Sequence, residues 1–152
     1  MRGTKDFRPM DMKAYLIDDR FWKNKMEVVR TKMIPYQWKA LNDLVEDAAP
    51  SHCVKNFRIA AGMEKGDFQG CVFQDSDLAK WLEAVGYTLA WKKDRELEQM
   101  ADEVIAVIEK AQQPDGYLDT YYIINGLEKR WTNLRDNHEL YCAGHMIEAG
   151  IA

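Results

Sequence analysis

Three side chains able to do chemistry, His138, Cys142 and His145, fall on one face of the segment Asn137 to Ala152. At about 100° of rotation per residue they share a stripe with Ala149, while Leu140, Ala143, Ile147 and Ile151 form a second stripe roughly opposite. Glu139 and Glu148 are the only charges in the segment, too few for a face in water, so the imidazole stripe is expected to look into a pocket. The i, i+4, i+7 spacing also puts two imidazoles and a thiol where they can take up zinc. Hydrogen bonding to neighbouring backbone, with Cys142 as a small buried hydrophobe, is the competing use of the same residues.

Carboxylates form the second group. Asp75 and Asp77, in Phe73-Gln74-Asp75-Ser76-Asp77, sit where a loop enters a helix, and such a pair can bind sugar hydroxyls or act as acid and base. Helix capping accounts for one of the two without any ligand. Asp115, in Pro114-Asp115-Gly116, is what a tight turn demands. Phe57, Phe68, Phe73, Tyr117, Tyr121, Tyr122 and Trp131 fall mainly in loop-like stretches, as sugar-stacking platforms would, and as ordinary loop packing would. A Gly-rich phosphate loop, a nucleophile elbow and HExxH are all missing, since the position four after His138 is Cys142.

Helices must position these groups. The stretch from about Asn24 to Asp47 has a helical period, with Pro35 expected to kink or split it. Ala48 to Gln74, with Pro50, Gly62, Gly66 and Gly70, reads as a long loop. Leu78, Trp81, Leu82, Val85 and Leu89 predict an amphipathic helix over Asp77 to Lys92, capped by Asp75 or Ser76. A second helix, Asp94 to Gln112, follows closely enough to pack antiparallel on it. Gln113-Pro114-Asp115-Gly116 is a turn, and a second long loop runs to Asp136, where Asp136 or Asn137 caps the last helix with Glu139 completing a capping box. Strand signals are weak throughout, so the fold class is all-α, made of antiparallel helical hairpins whose long loops gather around a pocket.

Composition narrows the function. The chain has 152 residues, 47% of them hydrophobic, with five Trp and seven Tyr, enough for one compact domain. With 21 basic against 25 acidic residues and a net charge of −4, it offers no basic face for nucleic acid. The three cysteines, Cys53, Cys71 and Cys142, make neither a CxxC nor a disulfide framework, and a reducing, cytoplasmic setting is expected. The first residues lack an apolar signal core, and no run approaches the about 18 apolar residues of a membrane span.

Four ordered blocks resemble a known family. They are Ile34-Pro35-Tyr36-Gln37-Trp38; Val72 to Asp77 with Lys80-Trp81-Leu82-Glu83; Ala111-Gln112-Gln113 with Asp115 to Thr120; and His138-Glu139-Leu140-Tyr141 with Gly144-His145. Together they are similar to the N-terminal part of the β-L-arabinofuranosidases of glycoside hydrolase family 127. The resemblance implies part of an (α/α)6 barrel, with the rest of the barrel and β-sandwich domains lying outside residues 1–152. It implies an exo-acting, retaining enzyme that releases terminal L-arabinose from L-arabinofuranose-containing oligosaccharides or glycosides. A zinc-bound cysteine nucleophile and a glutamate acid/base lie further along in the family than this chain reaches, and Cys53, Cys71 and Cys142 do not match those positions. So no catalytic or metal-binding residue is assigned here, and Zn2+ is expected in the full-length enzyme only. His138 matches a sugar-contacting histidine of the family, and His145 and Asp75 are the weaker substrate-binding candidates. An incomplete barrel is expected to be inactive alone and to self-associate through unpaired helix faces. The alternatives are another helical-toroid sugar enzyme, such as an unsaturated glucuronyl hydrolase or an epimerase, working with Asp75, Asp115, His138 and His145, or a non-catalytic helical carbohydrate-binding or interaction module.

Overall fold

The computed structural model describes residues 14–152. The extreme N-terminus, where no signal core was read, lies outside the described residues. Among those described there is no strand, and seven α-helices follow in order: α1 Arg20–Val28, α2 Ile34–Leu41, α3 Cys53–Ala60, α4 Asp75–Trp91, α5 Arg95–Ala111, α6 Thr120–Asn125 and α7 Glu139–Ile151. None is long and apolar enough to cross a membrane.

Pro35 acts on the first helix as expected, by a specific route. A proline inside a helix has no N–H and its ring crowds the carbonyl four residues back. Here the backbone widens into one π-helical turn, Val29–Met33, and the Ile34 N–H reaches back to the Val29 carbonyl before α2 begins with Pro35 in its first turn. The side chain of Asp19 caps α1, accepting from the Trp22 N–H at 2.9 Å.

α4 is the hub, in contact with α2, α3, α5 and α7. Its Leu78, Trp81 and Val85 join Ile34 and Leu41 of α2, Cys53, Val54 and Phe57 of α3, and Leu97, Ala101 and Val104 of α5 in one core. The Trp81 indole stacks obliquely on Trp38, with centroids 4.7 Å apart, and donates to the Ile34 carbonyl at 3.1 Å. That bond satisfies the one polar atom Trp81 brings into the core. Lys92, Lys93 and Asp94 link α4 to α5, and Asp94 caps α5 through the Leu97 N–H while pairing with Arg30 at 2.9 Å.

Three expectations change. The stretch read as loop between Ala48 and Gln74 contains α3, whose Cys53, Val54 and Phe57 are buried. Its start gives no sequence signal, because His52 precedes it in the left-handed region (φ 58°) and offers no side-chain cap. The loop read from Tyr117 to Asp136 contains α6, capped by Asp119. Finally, α7 has no capping box: Asp136 is engaged with Arg135 and Asn133, and Glu139 is buried elsewhere.

The two stripes of α7 also exchange roles. Cys142 and Ala149 are buried, with α7 lying along α4, whereas Leu140, Ile147 and Ile151 are 60%, 64% and 77% exposed. Small side chains permit the closest approach, and at Gly86 of α4 a Cβ would stand 2.8 Å from the Ala152 carbonyl carbon. The face with more hydrocarbon therefore has no partner among the described residues.

Trp81→Phe, which removes the indole donor and leaves a void against Trp38 and the Ile34 carbonyl, is expected to destabilise the chain by about 2–4 kcal/mol, measured by urea unfolding.

Candidate functional site

His138 stands at the mouth of α7. Its backbone is left-handed (φ 58°), and its ring lies 5.4 Å from Phe73, in the loop before α4, and 5.9 Å from Tyr141. Nδ1 is 2.8 Å from the Asp136 carbonyl. A carbonyl oxygen only accepts, so in the neutral ring Nδ1 carries the hydrogen and Nε2 is left as an acceptor. Phe73, 41% exposed, leaves an aromatic surface beside it.

Asp75 lies beneath this end of the molecule and is 4% exposed. It does not cap its own helix. Its two oxygens take the Thr120 N–H and the Thr120 hydroxyl, each at 2.6 Å, so it closes the start of α6 from across the fold. Asp119, 1% exposed, accepts the Tyr122 N–H through Oδ1, while Oδ2 has no partner. Burial outweighs these hydrogen bonds and raises Asp75 to about 6. Burial, together with the neighbouring Asp75 charge, raises Asp119 to about 7.

His145 sits one further turn along α7, partly buried, with its ring edge-on to Tyr141 at 4.6 Å. Its Nδ1 is 3.0 Å from a Glu148 carboxylate oxygen, without hydrogen-bond alignment. The trio His138, Cys142 and His145 is not brought together as a metal site. Among the described residues, the three donors that do approach one another, within 4.8 Å, belong to Glu83, His145 and Glu148. Asp115 caps the Tyr117 N–H and pairs with Arg130 at 2.7 Å on the surface, so the set Asp75, Asp115, His138 and His145 does not converge either.

Sequence and structure comparisons place this arrangement. The model of the β-L-arabinofuranosidase GH127 catalytic domain matches residues 16–152. The chain belongs to glycoside hydrolase family 127. A non-reducing end β-L-arabinofuranosidase of Bifidobacterium longum subsp. longum is 40% identical, over 90% of this chain and 23% of that protein. The crystal structure of a GH127 β-L-arabinofuranosidase from Geobacillus stearothermophilus T6 superposes with a TM-score of 0.87 at 63% identity, covering 90% of this chain and 21% of the other. A second GH127 β-arabinofuranosidase structure gives 0.78 at 27% identity, over 94% of this chain and 23% of that one. The chain thus spans under a quarter of the length of these relatives, and its helices form part of an (α/α)6 barrel.

The cysteines of this GH127 segment lie apart from one another in sequence. Cys53 is fully buried and donates to the Gln74 carbonyl at 3.1 Å, and burial holds its thiol well above the usual range. Burial, with the Asp75 charge next in effect, pushes Cys142 up to about 12. Cys71 is exposed, and no disulfide joins any of the three.

Sequence reasoning gave no site role to Thr120, took Glu139 for part of a capping box and read Tyr117 only as a loop aromatic. Glu139 is 1% exposed and accepts the Tyr117 hydroxyl at 2.6 Å and the Trp131 N–H at 3.0 Å. Its place in the block His138-Glu139-Leu140-Tyr141 was the available signal, and the capping-box reading obscured it. Of the aromatics read as loop residues, Phe57, Tyr117 and Tyr122 are buried, while Phe73 and Trp131 remain exposed.

The raised carboxyls set a pH dependence. An acid whose native pKa lies above its unfolded value stabilises the fold while protonated, and that contribution is lost as pH rises through the native value. For Asp75 and Asp119 the loss runs from the ordinary value of 3.8 up through about 6 and about 7. Exposed acids held low, such as Asp115 and Asp136, are ionised throughout that window and leave it flat. The thermal midpoint is expected to fall between about pH 5 and pH 8, and Asp119→Asn, which keeps the cap oxygen and loses the charge, to reduce that fall.

Proposed function

We propose that the chain supplies one sector of the catalytic barrel of an exo-acting, retaining β-L-arabinofuranosidase, and that His138 contacts the terminal L-arabinofuranose. What carries the reading is the presentation of His138: a ring fixed by Asp136 at the start of α7, beside the exposed face of Phe73, in a chain of this family. Its Nε2 lone pair accepts from a sugar hydroxyl, and Phe73 gives the apolar face of a furanose ring a surface to lie on. Asp75 supports this end from beneath by fixing Thr120, and His145 is placed deeper along the same helix as a secondary contact.

In this reading residues 1–152 are the N-terminal portion of one (α/α)6 domain, and the remaining barrel helices and β-sandwich domains come from further chain. In the complete enzyme, zinc would activate a cysteine thiolate contributed by further chain, as the family resemblance implies, and no residue of this segment is assigned to it. The segment alone binds sugar and does not turn it over. The exposed stripe of Leu140, Ile147 and Ile151 is the surface through which isolated copies associate. The three free cysteines support a cytoplasmic setting.

The test is a titration of the 152-residue chain with methyl β-L-arabinofuranoside, followed by the NMR signals of the His138 ring. Saturable shifts are expected, with affinity reduced about tenfold or more by His138→Ala and little changed by His52→Ala. Absence of any shift at His138 up to solubility-limited sugar would contradict the reading.

A further inference from the structure

Glu139 is among the most deeply buried charged side chains among the described residues, and no lysine or arginine neutralises it. A buried carboxylate is retained at a cost unless its oxygens are satisfied, and both of these are. Oε1 takes the Tyr117 hydroxyl at 2.6 Å, and Oε1 and Oε2 share the Trp131 N–H at 3.0 Å each. Burial raises the Tyr117 hydroxyl far above its usual range, with the Glu139 hydrogen bond next in effect, so it stays protonated and donates.

The backbone around this carboxylate is strained in two places. Trp131, whose N–H it holds, has φ 66°, and His138, the residue immediately before it, has φ 58°. Neither is glycine, and a non-glycine residue occupies the left-handed region only where its surroundings enforce it. Loop 131–138 begins and ends at these two residues: the Glu139 side chain holds the Trp131 end by its amide, and His138 at the other end is the residue from which Glu139 follows directly. The first turn of α7 has no side-chain cap: the His138 side chain makes no capping bond and Asp136 is turned to Arg135. Tyr117 ties the assembly to the end of the α5 turn, and its ring packs edge-on against Trp131 at 5.1 Å.

From this geometry we infer that Glu139 is a positioning residue: by anchoring Tyr117 and the Trp131 amide it sets the left-handed turn that presents the His138 ring with Nε2 free. The inference rests on the reading of His138 as the sugar contact, and it makes a statement about the ring that can be read without sugar. Donors from two different segments converge on Oε1, with Oε2 sharing one of them, and the length of a glutamate is required to reach from α7 to both.

The experiment compares the 152-residue chain with Glu139→Leu, Glu139→Gln and Glu139→Asp. The readouts are the imidazole nitrogen shifts of His138, which report which nitrogen carries the hydrogen, and the titration with methyl β-L-arabinofuranoside. The Nδ1–H form is expected in the parent chain and, in large part, in Glu139→Gln, which keeps an acceptor oxygen. Glu139→Leu is expected to shift the ring toward the Nε2–H form and to weaken sugar binding about tenfold or more. Should Glu139→Leu fail to fold, Glu139→Asp, which keeps the charge and loses the reach, is expected to give the same two changes. A role in helix packing alone would lower the melting temperature of these variants and leave the His138 nitrogen shifts of the folded molecules at parent values, and that result overturns the inference. Altered His138 shifts in a parent chain that binds no sugar would sustain the positioning role and remove the sugar reading instead.

Discussion

Asp75 is a carboxylate placed where water does not reach, and the geometry of the site end follows from how it is satisfied. Its two oxygens hold the backbone and the hydroxyl of Thr120, 45 residues further along, at 2.6 Å. With that pair made, the start of α4 and the start of α6 are one rigid body. Leaving either oxygen unpaired in that setting would cost more than the bond itself contributes, so the arrangement is close to obligatory. Thr120 in turn fixes Asp119 as the cap of α6, and Tyr122 of α6 accepts from Asn137, next to His138, at 2.8 Å. The position of the His138 ring is thus tied to the hub helix by consecutive polar links.

The chain accepts a penalty for this. Burial and the Asp75 charge raise the proton affinity of Asp119, burial raises that of Asp75, and the Asp119 Oδ2 has no partner. Groups buried in this state are what a structure retains when position matters more than stability. The same segment leaves hydrocarbon on its surface, because α7 gives its small side chains to α4 and its large ones to solvent. Both features make sense in a sector of a larger barrel, where further helices cover the exposed stripe.

How much of this could be read from sequence depends on the range of the interaction. α4 and α5 were legible because each keeps its apolar period over 17 residues, and Asp94 caps α5 by a purely local bond. α3, with eight residues and no side-chain cap, and α6, with six, are too short for a period to stand out, and their existence depends on contacts with α4, α5 and each other. Asp75 looked like a cap because it begins a helix, and nothing local reveals that its partner is Thr120. In α7 an apolar stripe and a His/Cys stripe were visible, and that Cys142 and Ala149 of the second are the buried residues where α7 lies along α4 is something no pattern within α7 contains. His138 stood out in the sequence because its type and its motif agreed. The links of Glu139 to Tyr117 and Trp131 span the chain and left no local sign.

Amide hydrogen exchange of the Thr120 N–H reads the Asp75–Thr120 link most directly. Protection approaching that of the core amides of α4, and lost in Asp75→Ala, is expected. Exchange as fast as that of the exposed 132–135 loop would show that the carboxylate does not hold the start of α6, and would contradict the link.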